Sequence, residues 1–449
     1  MKRIILRIFS FCLLIPIPGL HAQEVKKWNL RECIDYAVEH NIDIQLNILQ
    51  KQSREVELDV AKSSRLPDLN AVVNQGFGFG WSATQTGESI QQNSSSTGFS
   101  IQTGMPLFTG FKISGDIEVC KLNLNAAVES LNKAKDDLQL NITSAFLDVL
   151  FNKEILAISE RQVELTRRQL DRTEMLIDAG KVPPSQLSDI KAQLAKDELT
   201  LTQAQNNEKL SRITLAQYLD LERFGDQFDI RVPDSDHSFE SMIGSLLPPD
   251  HIYNNAVTFK PQVKEQEYLL ESGKKSLKTA ESGYWPKLSL NASYGVGYYH
   301  YYGDEFLNKS FSDQLRDNGI TNIGLTLSIP IFNRFEVKNQ VKSARIEIKN
   351  RELALEKIKK DLYKEIQQAY YNAVAAQSKY YSAGKAGEAA KESYRYAEEK
   401  YGAGKSTVFE YNEAKTKMLQ SLSEEIQAKY DFIFRMKILD FYNGNPIDL

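Results

Sequence analysis

The longest pattern in the sequence is helical, and it occurs twice. Residues Lys112–Ala179 and Glu336–Tyr401 run for more than 60 positions without proline and are rich in Ala, Leu, Lys, Glu and Gln. Each run ends at a Gly-Lys pair and is followed by a shorter helical pattern, Ser185–Leu221 and Val408–Asn443. At 1.5 Å per residue, each long helix would extend about 100 Å. Helical hairpins of this length need partners for their apolar faces, as in coiled coils.

Between the helical runs the spacing of apolar residues changes to two, the period of a strand with one apolar face. Two strand pairs are predicted at about 69–108 and 287–330, and strands of roughly 10–12 residues suit a tilted crossing of a bilayer. Polar stretches at Ser82–Ser96 and His300–Gly319 separate the strands of each pair and are predicted to be long external loops. The alternation is clearest in four segments: Leu69–Trp81, Phe99–Thr103, Leu288–Tyr298 and Ile323–Ile329.

The chain contains an internal duplication, since short motifs recur after 219 or 224 residues. Shorter helical patterns at Leu30–Arg65 and Val257–Ser282 precede the strand pair of each half. The increase from 219 to 224 corresponds to a five-residue insertion between the strands of the second half. The recurring motifs are Leu66-Pro-Asp-Leu69 with Trp285-Pro-Lys-Leu288, Met105-Pro-Leu-Phe-Thr-Gly-Phe111 with Ile329-Pro-Ile-Phe-Asn-Arg-Phe335, and Asp178-Ala-Gly-Lys181 with Gly402-Ala-Gly-Lys405.

The duplication predicts the domain organisation. Residues 23–221 form a first structural repeat that ends in the helical hairpin 112–221, and residues 249–449 form a second repeat that ends in the hairpin 336–443. The segment 222–248, which has prolines and charges without clear periodicity, is predicted to be a linker around the waist of a tube.

The first 22 residues are predicted to be a signal peptide. Lys2, Arg3 and Arg7 precede an apolar run, and a cleavage position follows at Ala22. The mature protein is therefore expected to leave the cytoplasm. Beyond this segment no run approaches the roughly 20 apolar residues of a transmembrane helix. Any spanning structure is therefore expected to be a β-barrel.

Composition excludes some classes of protein. The formal net charge is −4 and the pI is about 5.9, whereas nucleic-acid-binding domains usually carry a basic stripe. Cys33 and Cys120 are the cysteines that remain after the predicted cleavage, too few for a disulfide framework. We therefore expect no nucleic-acid partner and a fold held together without disulfides.

Four strands cannot close a barrel, and open strand edges are not tolerated in lipid. Other copies of the chain are therefore expected to complete it, and a trimer would supply twelve strands. Prolines 67, 106, 286 and 330 are predicted to stand at helix–strand junctions. Aromatic girdles are expected at both membrane interfaces. Their members are Trp81 at one interface and Phe108, Phe111, Trp285, Phe332 and Phe335 at the other.

The order of elements resembles the TolC-like outer-membrane efflux family over nearly all of the mature chain. The resemblance rests on the junctions Pro106-Leu-Phe-Thr-Gly-Phe111 and Pro330-Ile-Phe-Asn-Arg-Phe335, and on the turn Tyr401–Lys415. It implies a membrane β-barrel joined to a long α-helical coiled-coil tunnel, in a homotrimer with four strands per chain. It also implies an outer-membrane protein that extends into the periplasm and works with a periplasmic adaptor and an inner-membrane pump. Such a protein is a passive conduit of tripartite efflux or type I secretion.

The resemblance also implies where the pore narrows. Two acidic residues three apart, just after a helix turn, form rings around the pore in this family, and Glu410 and Glu413 match them here. Residues at this spacing share a helix face, and carboxylates converging on an axis would select cations. An exposed acidic helix face is the alternative interpretation. Tyr401 matches a tyrosine that helps to latch the closed state. The expected adaptor-docking turns contain Gly180, Lys181, Gly404 and Lys405.

No motif for catalysis stands out, so we predict neither an enzyme nor a bound cofactor or metal. The segment Gly402–Thr407 looks like a phosphate-binding loop, but Glu399 occupies the place of its first glycine and a helix precedes it. The histidines have no metal-ligand spacing. The alternative function is a secreted, soluble coiled-coil scaffold or adhesin, which would leave the alternating strands unexplained. The exported substrate is not predicted.

Overall fold

Long helices dominate the fold, which is described by a computed structural model. The described residues are 26–83, 89–221, 228–232, 246–303 and 308–447. The predicted signal peptide and most of the predicted linker lie outside them. The helices are α1 (Leu30–His40), α2 (Ile42–Ser63), α3 (Lys112–Asp178), α4 (Ser185–Tyr218), α5 (Pro249–Phe259), α6 (Pro261–Glu281), α7 (Phe311–Asp317), α8 (Glu336–Gly402) and α9 (Val408–Tyr442). Helices α3 and α8 each have 67 residues, which corresponds to about 100 Å.

The described strands form one larger sheet and two small ones. They are β1 (Lys26–Trp28), β2 (Asn70–Gly78), β3 (Trp81–Ala83), β4 (Ser89–Gln91), β5 (Asn93–Phe108), β6 (Phe228–Ile230), β7 (Lys287–Tyr302) and β8 (Ile320–Ser328). The larger sheet is antiparallel in the order β2-β5-β7-β8. The pair β5–β7 joins the two halves of the chain. Strands β1 and β6 pair in parallel, and β3 and β4 form a short hairpin.

The single helices predicted ahead of each strand pair are in fact two helices each. The first break falls at Asn41, whose backbone is extended and whose side-chain oxygen accepts hydrogen bonds from the N–H groups of Asp43 at 3.0 Å and Ile44 at 3.3 Å. The second falls at Lys260 because Pro261, which has no N–H, begins the next helix. This second helical segment also starts earlier than predicted, at Pro249.

Backbone conformation repeats with the spacing found in the sequence. A left-handed backbone is uncommon for residues other than glycine, yet four pairs of such positions are each 224 residues apart. The pairs, with their φ angles, are Gly110 (67°) and Arg334 (52°), Phe111 (68°) and Phe335 (63°), Gly180 (68°) and Gly404 (69°), and Asp220 (50°) and Gly444 (90°). The two halves therefore share the geometry of their helix starts, tip turns and helix ends.

Two clusters of buried apolar side chains hold the helices together between the sheet and the hairpin tips. One joins α1, the middle of α3, the end of α4, β6 and α9, and includes Phe146 and Leu215. The other joins α5, α6, α8 and α9, and includes Leu362 and Phe432. Burying one such side chain stabilises the fold by about 1.5–3 kcal/mol. The long hairpins extend from this level towards their turns.

The structure corrects three details of the strand region. Strand β5 starts at Asn93, inside the predicted loop Ser82–Ser96, because its serines pair with the tyrosine-rich end of β7. Helix α7 lies inside the other predicted loop, His300–Gly319. Pro106 is part of β5 and does not stand at a helix–strand junction. The strand accommodates it through a shift of register between Pro106 and Phe108.

Candidate functional site

The four-stranded sheet has one apolar and one polar face. Since its strands pair in register, alternate residues align in rows across the sheet. On the edge strands the apolar residues are open to the surroundings, with Val73 and Leu325 each 65 % exposed. A continuous exposed apolar face indicates contact with lipid or a partner. Apolar rows are Val73, Phe99, Val296; Thr103, Ala292, Ile323; and Met105, Leu290, Leu325. Polar rows are Asn70, Gln102, Ser293, Asn322; and Gly104, Asn291, Gly324.

Both edges of this sheet are free within the described chain. Strand β2 pairs on one side with β5, and β8 pairs on one side with β7. Their outer sides present backbone N–H and C=O groups without a described strand partner. Such edges are ready to pair with another chain, and in a lipid environment they would have to.

The six predicted interface aromatics lie at opposite ends of the sheet. Trp81 is on β3, beyond the end of β2, and is 74 % exposed. The other five are near the starts of α3 and α8. Trp285 packs closely on Gly110, where an added Cβ atom would lie 2.7 Å from the tryptophan Cβ. The five are Phe108 and Phe111, whose ring centroids are 5.4 Å apart, Phe332 and Phe335, which are 5.6 Å apart, and Trp285.

The two Gly-Lys turns at the hairpin tips have the same geometry. Gly180 and Gly404 adopt left-handed conformations, with φ of 68° and 69°. The N–H groups of Lys181 and Lys405 each donate to the carbonyl oxygen five residues earlier, at 2.9 Å. This is a standard glycine helix end. An added Cβ atom would meet nothing within 4 Å at either glycine, so backbone conformation, not crowding, requires glycine. Both lysine side chains are exposed.

The carboxylate of Glu410 caps helix α9. Its Oε2 accepts hydrogen bonds from the Ser406 hydroxyl at 2.6 Å and the Thr407 N–H at 3.1 Å. The Thr407 hydroxyl in turn accepts from the Glu410 N–H at 3.2 Å, which completes a capping box. The Ser406 hydroxyl and the Thr407 N–H lower the pKa of Glu410 below its ordinary value. The side chain is exposed and ionised, but it bonds to its own helix end.

Glu413 lies about one turn further along α9 and is exposed. The position 224 residues earlier is Asp189, an exposed carboxylate on α4. Sequence reasoning missed Asp189, although the spacing of the repeats could have found it. The counterpart of Glu410 is the uncharged Gln186. One chain thus presents Glu410, Glu413 and Asp189 near its two hairpin tips.

Tyr401 packs within its own hairpin. Its ring stacks on that of Tyr411, with centroids 5.0 Å apart and planes 26° apart. The Tyr411 hydroxyl is 2.8 Å from the Tyr394 hydroxyl, and burial raises the pKa of Tyr411. These contacts join the end of α8 to the start of α9. The structure does not bring Tyr401 to the other hairpin.

The arrangement offers surfaces, and nothing in it performs covalent chemistry. Among the described residues no group of His, Cys, Asp and Glu side chains is placed to hold a metal ion. None of the helices in the described ranges is long and apolar enough to span a membrane.

The fold is that of solved outer-membrane channels. CusC, whose study concerns folding and transmembrane channel formation, superposes with a TM-score of 0.75 at 16 % identity over 94 % of each chain. The outer-membrane channel OprN gives 0.72 at 17 % identity, over 92 % of this chain and 89 % of that one. The Campylobacter jejuni CmeC outer membrane channel gives 0.73 at 17 % identity, over 94 % and 86 %. At such identities the likeness defines the fold class.

Sequence similarity then defines the family. The chain is 22 % identical to outer membrane protein TolC of Salmonella enteritidis over 424 residues, covering 93 % of this chain and 82 % of that protein. The Escherichia coli (strain K12) TolC is also 22 % identical, over 90 % and 80 %. The family model of the outer membrane efflux protein matches residues 33–220 and 252–435, which is more than half of the chain. The chain therefore belongs to the outer membrane efflux protein family and is an outer-membrane protein.

Proposed function

We propose that this protein is a homotrimeric outer-membrane channel of a tripartite efflux or type I secretion system. It is a passive conduit for small molecules or polypeptides across the periplasm and the outer membrane, and it performs no catalysis. The observation that carries the proposal is a single sheet with one exposed apolar face and two free edges, joined to helices of about 100 Å.

The sheet supports closure between copies. If β8 of one copy pairs with β2 of the next, every backbone group of the sheet gains a partner, as lipid requires. The apolar rows then face lipid and the polar rows face the lumen, the arrangement of a transmembrane barrel. Three copies, the number implied by the family resemblance, supply twelve strands.

Helix α2 carries an apolar stripe that the described chain leaves uncovered. Its members recur at heptad spacing on the side opposite the residues that pack on α3. An exposed stripe of this kind indicates a missing helical neighbour. The members, each 58–63 % exposed, are Ile42, Leu46, Leu49, Val56 and Val60.

The equivalent stripe on α6 shows what covers it. Helix α6 corresponds to α2 at the 219-residue spacing, and its stripe packs on α3. The Ser272 hydroxyl donates to Asn123 Oδ1 at 2.7 Å, and Lys275 Nζ is 3.7 Å from a carboxylate oxygen of Glu118. Since α8 corresponds to α3 at the 224-residue spacing, the α2 stripe should pack on a copy of α8.

That copy of α8 must belong to another chain. The helices α2, α3, α6 and α8 lie side by side in this order, so α2 and α8 are the outer members of the row. Helix α8 exposes Ile346 and Leu353, and these positions match Leu122 and Glu129 on the α3 surface that faces α6. Helices and strands therefore close the same ring, with α2 and β2 at one edge and α8 and β8 at the other.

The hairpin tips supply the remaining parts of the proposal. Glu410 and Glu413, with Tyr401 beside them, form the pore constriction, and Asp189 adds a carboxylate at the position equivalent to Glu413. Carboxylates brought together by three copies favour cations. The turns that contain Gly180, Lys181, Gly404 and Lys405 dock on a periplasmic adaptor. The inner-membrane pump supplies the energy.

The two faces of β8 allow a matched test of the barrel. Leu325→Lys places a charge in an apolar row, whereas Thr326→Lys places the same charge on the polar face of the neighbouring position. A lysine facing mid-membrane lipid costs about 2–4 kcal/mol per copy. We expect Leu325→Lys to reduce insertion into liposomes and the yield of trimer in unheated gels, and Thr326→Lys to retain both. Equal behaviour of the two variants would show that this face does not contact lipid.

A further inference from the structure

A buried polar network joins the two helical hairpins of one chain. Lys415 on α9 is 1 % exposed, and its Nζ donates to the Thr166 hydroxyl on α3 at 2.7 Å. The Thr166 hydroxyl donates to Asp197 Oδ2 on α4 at 2.6 Å. Lys415 Nζ itself lies 3.9 Å from Asp197 Oδ2. The network therefore connects three helices, one from the second hairpin and two from the first.

Two glutamines complete the coordination of the Asp197 carboxylate. Gln162 Nε2 donates to Oδ2 at 3.1 Å, and Gln193 Nε2 donates to Oδ1 at 2.8 Å. Asp197, Thr166 and Gln162 are all at least nine-tenths buried. Separating the hairpins here would leave a buried ammonium and a buried carboxylate without each other, which is strongly unfavourable. The network thus resists movement of α9 relative to the first hairpin.

The equivalent positions in the other repeat do not contain this network. At the 224-residue spacing, Lys415 corresponds to Lys191, which keeps the charge. Thr166, Gln162 and Asp197 correspond to Ala390, Ala386 and Ser421, so the acceptors are lost. Lys191 is exposed, and its nearest carboxylate is that of Glu174 at 3.9 Å.

Under the proposed function, on which this step rests, these equivalent positions meet between copies. Within one chain α9 packs on α3, so by the same repeat symmetry α4 packs on α8 of the adjacent copy. Lys191 then faces Ala390 and Ser421 of that copy, with no carboxylate in the place of Asp197. The contact within a chain is fixed by paired buried charges, and the equivalent contact between copies is not.

We propose that the two hairpins of each chain move as one rigid unit, and that the periplasmic tip opens by parting at the contacts between copies. The clamp formed by Lys415, Thr166 and Asp197 makes this the easier separation. Opening then creates three gaps, one at each contact between copies, and leaves the interior of each chain intact.

Hydrogen exchange of the detergent-solubilised trimer, followed by mass spectrometry, tests the proposal. Peptides 162–170 and 411–419 report on the clamp, and peptides 386–394 and 187–195 report on the contact between copies. We expect amides of the clamp peptides to exchange at least tenfold more slowly. Lys415→Met should remove this difference, whereas Lys191→Met, the matched control, should leave all four peptides as they are. Lys415→Arg, which keeps the charge, should retain most of the protection.

Disulfide cross-links give a second reading in a Cys33→Ala/Cys120→Ala background. Thr166→Cys/Lys415→Cys replaces the clamp by a covalent bond within a chain and should leave the wild-type conductance levels in place. Lys191→Cys/Ala390→Cys should link copies in gels and abolish the upper levels until it is reduced. Equal exchange at the two kinds of contact, or loss of the upper levels with the cross-link within a chain, overturns the proposal. A protein that is monomeric throughout instead refutes the proposed function, even if the clamp peptides remain protected.

Discussion

The apolar stripe of α2 gives the sharpest test of assembly. The double substitution Leu46→Glu/Leu49→Glu replaces two leucines that are each 58 % exposed in the single chain. If α8 of another copy covers them, the change removes apolar contacts and places carboxylates in the contact. If they face solvent, the change is close to neutral, since exposed substitutions usually have small effects.

The structure sets the magnitude. Complete burial of a leucine is worth about 1.5–3 kcal/mol, so covering the exposed 58 % of one side chain contributes about 1–1.5 kcal/mol. Two leucines contribute about 2–3 kcal/mol per contact, and three contacts contribute about 6–9 kcal/mol per trimer. Since 1.4 kcal/mol is a factor of ten, the equilibrium between monomer and trimer should shift by about four to six powers of ten. Desolvation of the carboxylates adds to this shift.

The assay is light scattering coupled to size-exclusion chromatography in detergent, over a range of protein concentrations. Gln45→Glu/Gln52→Glu is the matched control, because it adds the same charge at exposed positions of α2 outside the stripe. We expect the control to remain trimeric and the leucine variant to dissociate while keeping its helical circular dichroism. A trimer of unchanged stability in the leucine variant would refute the predicted packing of α2 on α8.

Three further predictions concern single positions. Gly404→Ala should lower the free energy of unfolding by about 1–2 kcal/mol because alanine must adopt a left-handed backbone, whereas Gly402→Ala, inside the last turn of α8, should raise it by about 0.5 kcal/mol in thermal denaturation. Glu410→Ala should speed hydrogen exchange in the first turn of α9 at neutral pH. That difference should vanish as the pH falls through the lowered pKa of Glu410, where the capping carboxylate is protonated. Burial raises the pKa of Glu365 above its ordinary value of 4.5, so wild-type stability declines as the pH rises from 4.5 through the raised pKa, and Glu365→Gln should be the more stable protein at neutral pH and equally stable below 4.5.

The sequence predicted the parts of the fold that depend on local chemistry. Long runs without proline located α3 and α8, and the glycines at 180 and 404 located the turns, because a left-handed helix end selects glycine. It did not predict the pairing of β1 with β6, since strands of three residues have no periodicity and lie about 200 residues apart. The break at Asn41 was also missed, because asparagine can end one helix and cap the next.

The candidate site was predictable to a similar extent. Repeat spacing and family resemblance pointed to Glu413 and the Gly-Lys turns. They did not show that Glu410 bonds to its own helix end, or that Tyr401 stacks on Tyr411, since both depend on side-chain geometry. Lys415 looked like part of a solvated helix face. Only the packing of three helices reveals it as a buried charge.

Conduction through reconstituted trimers tests the central claim most directly. In planar bilayers under a salt gradient we expect wild-type trimers to give small currents with a cation-selective reversal potential. Glu410→Gln/Glu413→Gln/Asp189→Asn should move the reversal potential towards zero, and Glu424→Gln, an exposed carboxylate further along α9, should not. Intact trimers that insert without conducting would contradict the assignment of this protein as a channel.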